Sequence, residues 1–211
     1  MSGSGQQQTT NERNKNMNDN TGSQKNYRPN FRLYHPNSKG AGGALEMELH
    51  PAKNRKDGFI MMGIARQKTV GSRSGDNPTF STFDWEHKLC VKLGFNDLCK
   101  MLQVMRGECE TIEDGKGLIH RTKTGATRIN FRHVCEPVHG YSLDVSRKGN
   151  GDSEVQSAHI FITISEALGM GLALEQCMVY ICFGVPEQYV QTAGSELPPA
   201  MEERSDVGED F

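Results

Sequence analysis

Lys88 and Lys92 stand four residues apart in Lys88-Leu89-Cys90-Val91-Lys92-Leu93, and Arg128 and Arg132 repeat that spacing in Arg128-Ile129-Asn130-Phe131-Arg132. In both stretches apolar residues alternate with polar or charged ones. An extended strand turns every second side chain to the same face, so each stretch buries one face and shows two cations on the other. Residues two apart on one face of a strand lie roughly 6.6–6.8 Å apart, close to the phosphate spacing of an extended nucleic-acid strand. Lys39, Arg66, Lys68, Arg73, Arg121, Lys123, Arg147 and Lys148 are further candidates for phosphate contact. Trp85 is the only tryptophan. Two roles are open to it, stacking a base or capping the core at a strand start. Cations that track phosphates, with aromatic rings that stack bases, are the chemistry of single-strand binding.

Catalytic patterns are missing. There is no His-Glu-x-x-His, no Gly-x-Ser-x-Gly and no Cys–His pairing. A nuclease needs carboxylates gathered around metal ions, and Asp84, Glu86 and Glu136 are scattered over strand ends. Lys39-Gly40-Ala41-Gly42-Gly43 is glycine-rich but lacks the Gly-Lys-Ser/Thr ending of a phosphate-binding loop. The six cysteines form no Cys-x-x-Cys pair, which argues against zinc. Cys99 and Cys177 fall on helical apolar patterns, as core filler, and His120 reads as a surface strand histidine. The expectation is a non-enzyme with no cofactor and no metal.

The elements that must position these residues follow from periodicity. Strands are predicted over Phe31–His35, Leu45–Leu49, Phe59–Ala65 running on to Lys68, and Lys88–Leu93. A helix follows from Phe95 to Met105, on the spacing of Leu98, Met101, Leu102 and Met105, with Asn96 or Asp97 as its cap. Asp57-Gly58 is a hairpin signal. The second half repeats the plan, with strands over Leu118–Lys123, Thr127–Val134, Tyr141–Ser146 and Ile160–Ile164, then an apolar helix from Ala167 to Cys182. Lys148 to Asp152 is a hairpin loop. The sum is an α+β fold with two antiparallel four-stranded sheets, each followed by a helix. The second helix is apolar nearly all round, so it predicts a homo-oligomer, dimer or tetramer.

The chain is 211 residues long, and its composition divides it into three. Residues 1–27 are polar and too poor in apolar groups to order by themselves. Residues 28–185, the nucleic-acid-binding body, hold 20 Lys and Arg against 17 Asp and Glu, a net +3. Residues 186–211 hold seven acidic residues against Arg204, a net −6, and are expected to be a disordered tail. No secretory signal is visible, and no stretch reaches the length needed to span a bilayer. A reducing, cytoplasmic setting with no membrane partner is expected.

The order of these features resembles the Whirly family of single-stranded-DNA-binding proteins, whose fold is shared with the transcriptional coactivator positive cofactor four. Lys39-Gly40-Ala41-Gly42-Gly43-Ala44-Leu45 looks like the family's Lys-Gly-Lys-Ala-Ala-Leu segment, with an insertion and without its second lysine. Phe83-Asp84-Trp85 with Lys88 matches its aromatic-Asp-Trp and following lysine. His133-Val134-Cys135-Glu136-Pro137-Val138 looks like its Val-Glu-Pro-Leu segment, and Tyr141-Ser142-Leu143-Asp144-Val145 like the next strand. The resemblance spans residues 31–184 and implies binding of single-stranded DNA in replication, recombination or repair. An RNA-binding or annealing protein, or a transcription cofactor on the same fold, is the alternative, and a metal-dependent nuclease comes third. The tail carries a separate resemblance, to bacterial and bacteriophage single-strand-binding proteins that end in acids and a phenylalanine. It implies that Asp206, Glu209, Asp210 and Phe211 engage replication or recombination proteins.

Overall fold

Alternation of buried and exposed residues sets the strands, and the structure, a computed structural model, describes residues 30–72, 77–151 and 154–186. The expectations for residues 1–27, for the tail beyond Pro186 and for Arg73 lie outside the described residues. The first half runs β1 (Asn30–His35), β2 (Gly43–His50), β3 (Phe59–Thr69), β4 (Thr82–Phe83), β5 (Leu89–Leu93) and α1 (Phe95–Met105). The second runs β6 (Leu118–Thr122), β7 (Gly125–Val134), β8 (Gly140–Gly149), β9 (Gln156–Thr163) and α2 (Ile164–Phe183). Both sheets are antiparallel. The first is ordered β1-β2-β3, with β3 pairing β5 along its first half and β4 near its other end, and the second is ordered β6-β7-β8-β9. The two-residue β4 makes the first sheet five-stranded rather than four-stranded. β8 runs through Lys148 and Gly149, which were expected in the loop. One core joins the halves: Leu45, Ile60, Met62, Ile64 and Leu93 meet Ile129, Phe131, Leu143 and Ile160, with Leu98 and Met101 of α1 and Met170 of α2.

Both helices are capped at their start, α1 by one bond and α2 reciprocally. At α1 the cap residue is Gly94, and neither Asn96 nor Asp97 takes that place. Asp97 sits three residues in and its Oδ2 accepts from the Gly94 N–H at 3.0 Å. Glycine has no side chain to reach forward, so the carboxylate reaches back instead. At α2, Thr163 Oγ1 accepts from the Glu166 N–H at 3.3 Å, and Glu166 Oε2 accepts from the Thr163 N–H at 2.9 Å. Such a cap is worth about 1 kcal/mol.

The far end of α2 is held by the β2–β3 hairpin. The Ala52 N–H donates to the Tyr180 carbonyl at 2.9 Å and the Gly58 N–H to the Ile181 carbonyl at 3.0 Å. A Cβ at Gly58 would lie 2.7 Å from Ile181 Cα, so this glycine serves close approach and not the turn. The turn is Asn54-Arg55, with φ of 55° and 60°, closed by paired bonds between Lys53 and Lys56.

α2 also corrects the expectation about membrane length. Its 20 residues are long and apolar enough to cross a bilayer. Ser165, Glu166, Glu175 and Gln176 break the run in sequence and hide it. One side of α2 packs on the core through Ala167, Met170, Gly171, Leu174 and Ile181. The other leaves Ile164, Leu168, Leu172, Val179 and Phe183 exposed, Leu168 at 66% and Phe183 at 86%.

Candidate nucleic-acid interface

Strand register assembles a face on the first sheet that faces away from the core. Arg32, Glu46, Gly63 and Cys90 form one row across β1, β2, β3 and β5. Asn30, Glu48, Met61 and Lys92 form the next, and His50 lies opposite Phe59. Lys88 and Lys92 project from this face, while Leu89, Val91 and Leu93 are buried beneath it. Trp85 is outside the core. It meets Tyr34 edge to face at 6.3 Å, and Tyr34 in turn lies 5.6 Å from Phe83. The Trp85 ring is flanked by Arg32 at 5.7 Å and Lys88 at 5.9 Å. A second aromatic group lies farther along the face: His50 stacks on Phe59 at 4.4 Å, and Lys92 sits 4.4 Å over Phe59. Sequence alone did not single out Arg32, Tyr34, Phe83, Phe59 or His50 as site residues. The alternation of Arg32 and Tyr34 around buried Leu33 was the available signal.

The cations around Trp85 are matched by carboxylate. Glu46 pairs with Lys88 through one carboxylate oxygen and with Arg32, at 3.3 Å, through the other. Glu48 pairs with His50 at 3.1 Å.

The outward face of the second sheet is different. Its strand residues include Ile119 and Arg121 on β6, Arg128, Asn130 and Arg132 on β7, Ser142, Asp144, Ser146 and Lys148 on β8, and Ser157, His159 and Phe161 on β9. Four cations share this face with one carboxylate, Asp144. Asp144 is held below the usual aspartate range by hydrogen bonds from His159, at 2.8 Å, and Ser142, at 2.8 Å, with Arg132 adding its charge. Among the described residues, none of Arg121, Arg128, Arg132 and Lys148 is in an ion pair. Lys123 lies on the adjoining β6–β7 turn and is exposed.

The remaining candidates separate. Lys39 is exposed on a loop ordered by Gln67. Buried Gln67 accepts from the Asn37 and Gly42 N–H groups at 2.8 and 3.1 Å and donates to the Asn37 and Thr69 carbonyls, each at 3.0 Å. Arg66 is not on an open strand face. Its guanidinium reaches the Ser157 carbonyl and hydroxyl on β9, walling a cleft of about 330 Å³ where the sheets meet beside Gly40–Gly42. Arg147 points inward and donates to Thr127 and to the Cys90 carbonyl. Lys68 is exposed and lies near enough to Asp84 to help lower its pKa, after the larger effect of the His87 hydrogen bond. His120 is half-buried and pairs with Asp97 at 3.2 Å.

One expectation about carboxylates changes. Asp84 and Glu86 are not scattered: with His87 they place ligand atoms within 4.8 Å of one another. His87 Nδ1 already bonds Asp84 at 2.9 Å, and Glu86 and His87 are exposed. Glu136 is not among them.

No protein-family model and no curated protein matches this chain. Solved structures do match it in three dimensions. WHY3 from Arabidopsis thaliana superposes with a TM-score of 0.60 at 15% identity, over 79% of this chain and 94% of that one. The plant transcriptional regulator PBF-2 gives 0.58 at 15% identity, over 79% and 86%. A guideRNA-binding protein complex bound to a gRNA gives 0.50 at 16% identity, over 74% and 92%. At such identities the likeness is one of fold: two antiparallel sheets, each followed by a helix, in the arrangement of the Whirly proteins.

Proposed function

We propose that this chain binds single-stranded DNA with little sequence preference and protects it during replication, recombination or repair. The observation that carries the reading is the outward face of the second sheet, where Arg121, Arg128, Arg132 and Lys148 share one carboxylate. Regularly spaced cations on a strand face suit a phosphate backbone and read no base. Tyr34, Phe83 and Trp85 on the other sheet offer rings to unstacked bases, which a duplex does not supply. The exposed stripe of α2 supports self-association as a dimer or tetramer. The acidic tail, through Asp206, Glu209, Asp210 and Phe211, recruits replication or recombination proteins. Its −6 charge also competes with DNA for the basic faces.

RNA is the second reading, favoured by the shared fold of the gRNA-bound complex; a transcriptional role has the same kind of support from PBF-2. Competition binding with a labelled single-stranded oligonucleotide, challenged by duplex DNA and by RNA of the same sequence, tests the choice. Tight binding of single-stranded DNA, with affinity falling steeply as salt rises, is expected. Equal affinity for duplex, or no salt dependence, refutes the proposal, and stronger competition by RNA transfers it to the second reading. Cleavage of the oligonucleotide with magnesium or manganese would make Asp84, Glu86 and His87 the site to mutate. Removing residues 200–211 should tighten DNA binding at low salt and abolish capture of partner proteins.

A further inference from the structure

We propose that Glu46 sets the affinity of the aromatic face: it is an internal anion holding Arg32 and Lys88 beside Trp85 until a phosphodiester of the bound strand displaces it. This rests on the single-strand-binding reading above and adds the residue that regulates it. The Glu46 side chain is 13% exposed, and its two oxygens serve two different cations, Lys88 and Arg32. Those same cations flank the Trp85 ring. Gly63, in the same row, leaves the room this needs. A Cβ there would stand 3.0 Å from Glu46 Oε1 and 3.3 Å from Lys88 Cδ. The Glu46–Lys88 pair therefore crosses β3 over Gly63, while Arg32 reaches Glu46 from the neighbouring β1.

The two faces divide the work. On the second sheet the cations stand without carboxylate partners, and Phe161 is the one aromatic ring besides His159 in its outward strand rows. On the first sheet the rings are plentiful, and the two cations beside Trp85, Arg32 and Lys88, are matched by Glu46. A phosphate arriving beside Trp85 meets guanidinium and ammonium groups whose charge is already answered. Pairs on a partly exposed surface are weak enough to exchange, so binding there proceeds as Glu46 releases its two cations. Glu46 thus lowers affinity and keeps the face from holding polyanions indiscriminately.

The test is fluorescence-anisotropy titration of a labelled oligodeoxynucleotide over a range of salt, with the full chain and three variants. Glu46→Gln keeps the shape and removes the charge. It should bind several-fold more tightly at low salt, and its log–log salt slope should steepen by about 0.7 for each cation released. Glu46→Thr, suited to a strand, carries the same expectation if the glutamine variant folds poorly. Glu48→Gln removes an equal charge one row away and should gain less. Unchanged affinity and slope in both Glu46 variants would overturn the proposal, as would an equal gain in Glu48→Gln, which would reduce the effect to net charge. A parent chain that binds no single strand sinks the function proposed above; a parent that binds while the Glu46 variants match it overturns this inference alone.

Discussion

The guanidinium of Arg147 on β8 donates to the backbone carbonyl of Cys90 on β5, joining the second sheet to the first. Its Nε also donates to Thr127 Oγ1 at 3.0 Å, and Thr127 is buried. Removing the side chain leaves a carbonyl and a hydroxyl short of a partner. Arg147→Ala should therefore lower stability by about 1–3 kcal/mol, read by urea denaturation. A lysine cannot serve both acceptors with one fork and should restore only part of the loss. The salt slope for DNA binding should not change, and a lowered slope would mean that Arg147 contacts phosphate after all.

Charge reversal at Arg128 with Arg132 should weaken single-strand binding while leaving the melting temperature near that of the parent. Both side chains point away from the core that Ile129 and Phe131 enter. Every phosphate that is no longer neutralised should lower the log–log salt slope by about 0.7. If the double variant binds like the parent, the nucleic acid does not cross the second sheet.

Most of the strands were legible because one face of each is apolar, and a period of two needs no partner to be seen. Arg147 was misplaced among the phosphate candidates, although the signal against it was there. It has the parity of Tyr141, Leu143 and Val145, so alternation along β8 turns it inward and Lys148 outward. The aromatic face was not legible. Tyr34 comes from a different segment from Phe83 and Trp85, and pairing Glu46 with Lys88 requires the register of β2 on β3 and of β3 on β5. Nor does sequence tell a turn glycine from a contact glycine. Asp57-Gly58 has turn chemistry, yet Gly58 is small because α2 ends against it.

Trp85 is a built-in reporter, being the only tryptophan. Its fluorescence should be quenched as single-stranded DNA is added, and duplex should quench it little. Trp85→Ala should reduce affinity by about 1–3 kcal/mol, the worth of one stacked base. Its melting temperature should hold, because the ring lies on the outer face. Quenching that is absent at saturating DNA would place the bases elsewhere.

Replacing Leu168 and Leu172 together by glutamate should break self-association without unfolding the chain. Both are exposed on the single chain, so the charges meet water and not the core. A separate apolar groove of about 360 Å³ opens on another flank of α2, between Phe31, Leu49, Ala173 and Cys177. Light scattering should show an oligomer for the parent and a mass near 23.4 kDa for the variant. A parent of monomer mass at micromolar concentration removes this role for α2.

Glu166 ties the start of α2 to the first sheet, and its protonation state should appear in the acid limb of stability. Burial raises its pKa, but hydrogen bonds from the Thr163 side chain and backbone, and the nearby His35, more than offset this and leave it below the usual glutamate range. The contacts are close: Thr163 Oγ1 at 2.7 Å, the Thr163 N–H at 2.9 Å and His35 Nε2 at 2.8 Å. A carboxyl with a lower pKa folded than unfolded binds its proton more readily in the unfolded chain. Its contribution is full above the unfolded value and is lost as pH falls through the folded one. Glu166→Gln can still accept the backbone bond of the cap but has no charge for His35 and no proton to gain. Its stability should be lower than the parent's near neutrality, and the gap should narrow as pH falls below about 4. Denaturant melts across that range decide it: a gap that stays constant with pH would show that the carboxylate's charge contributes nothing and that Glu166 acts through cap geometry alone.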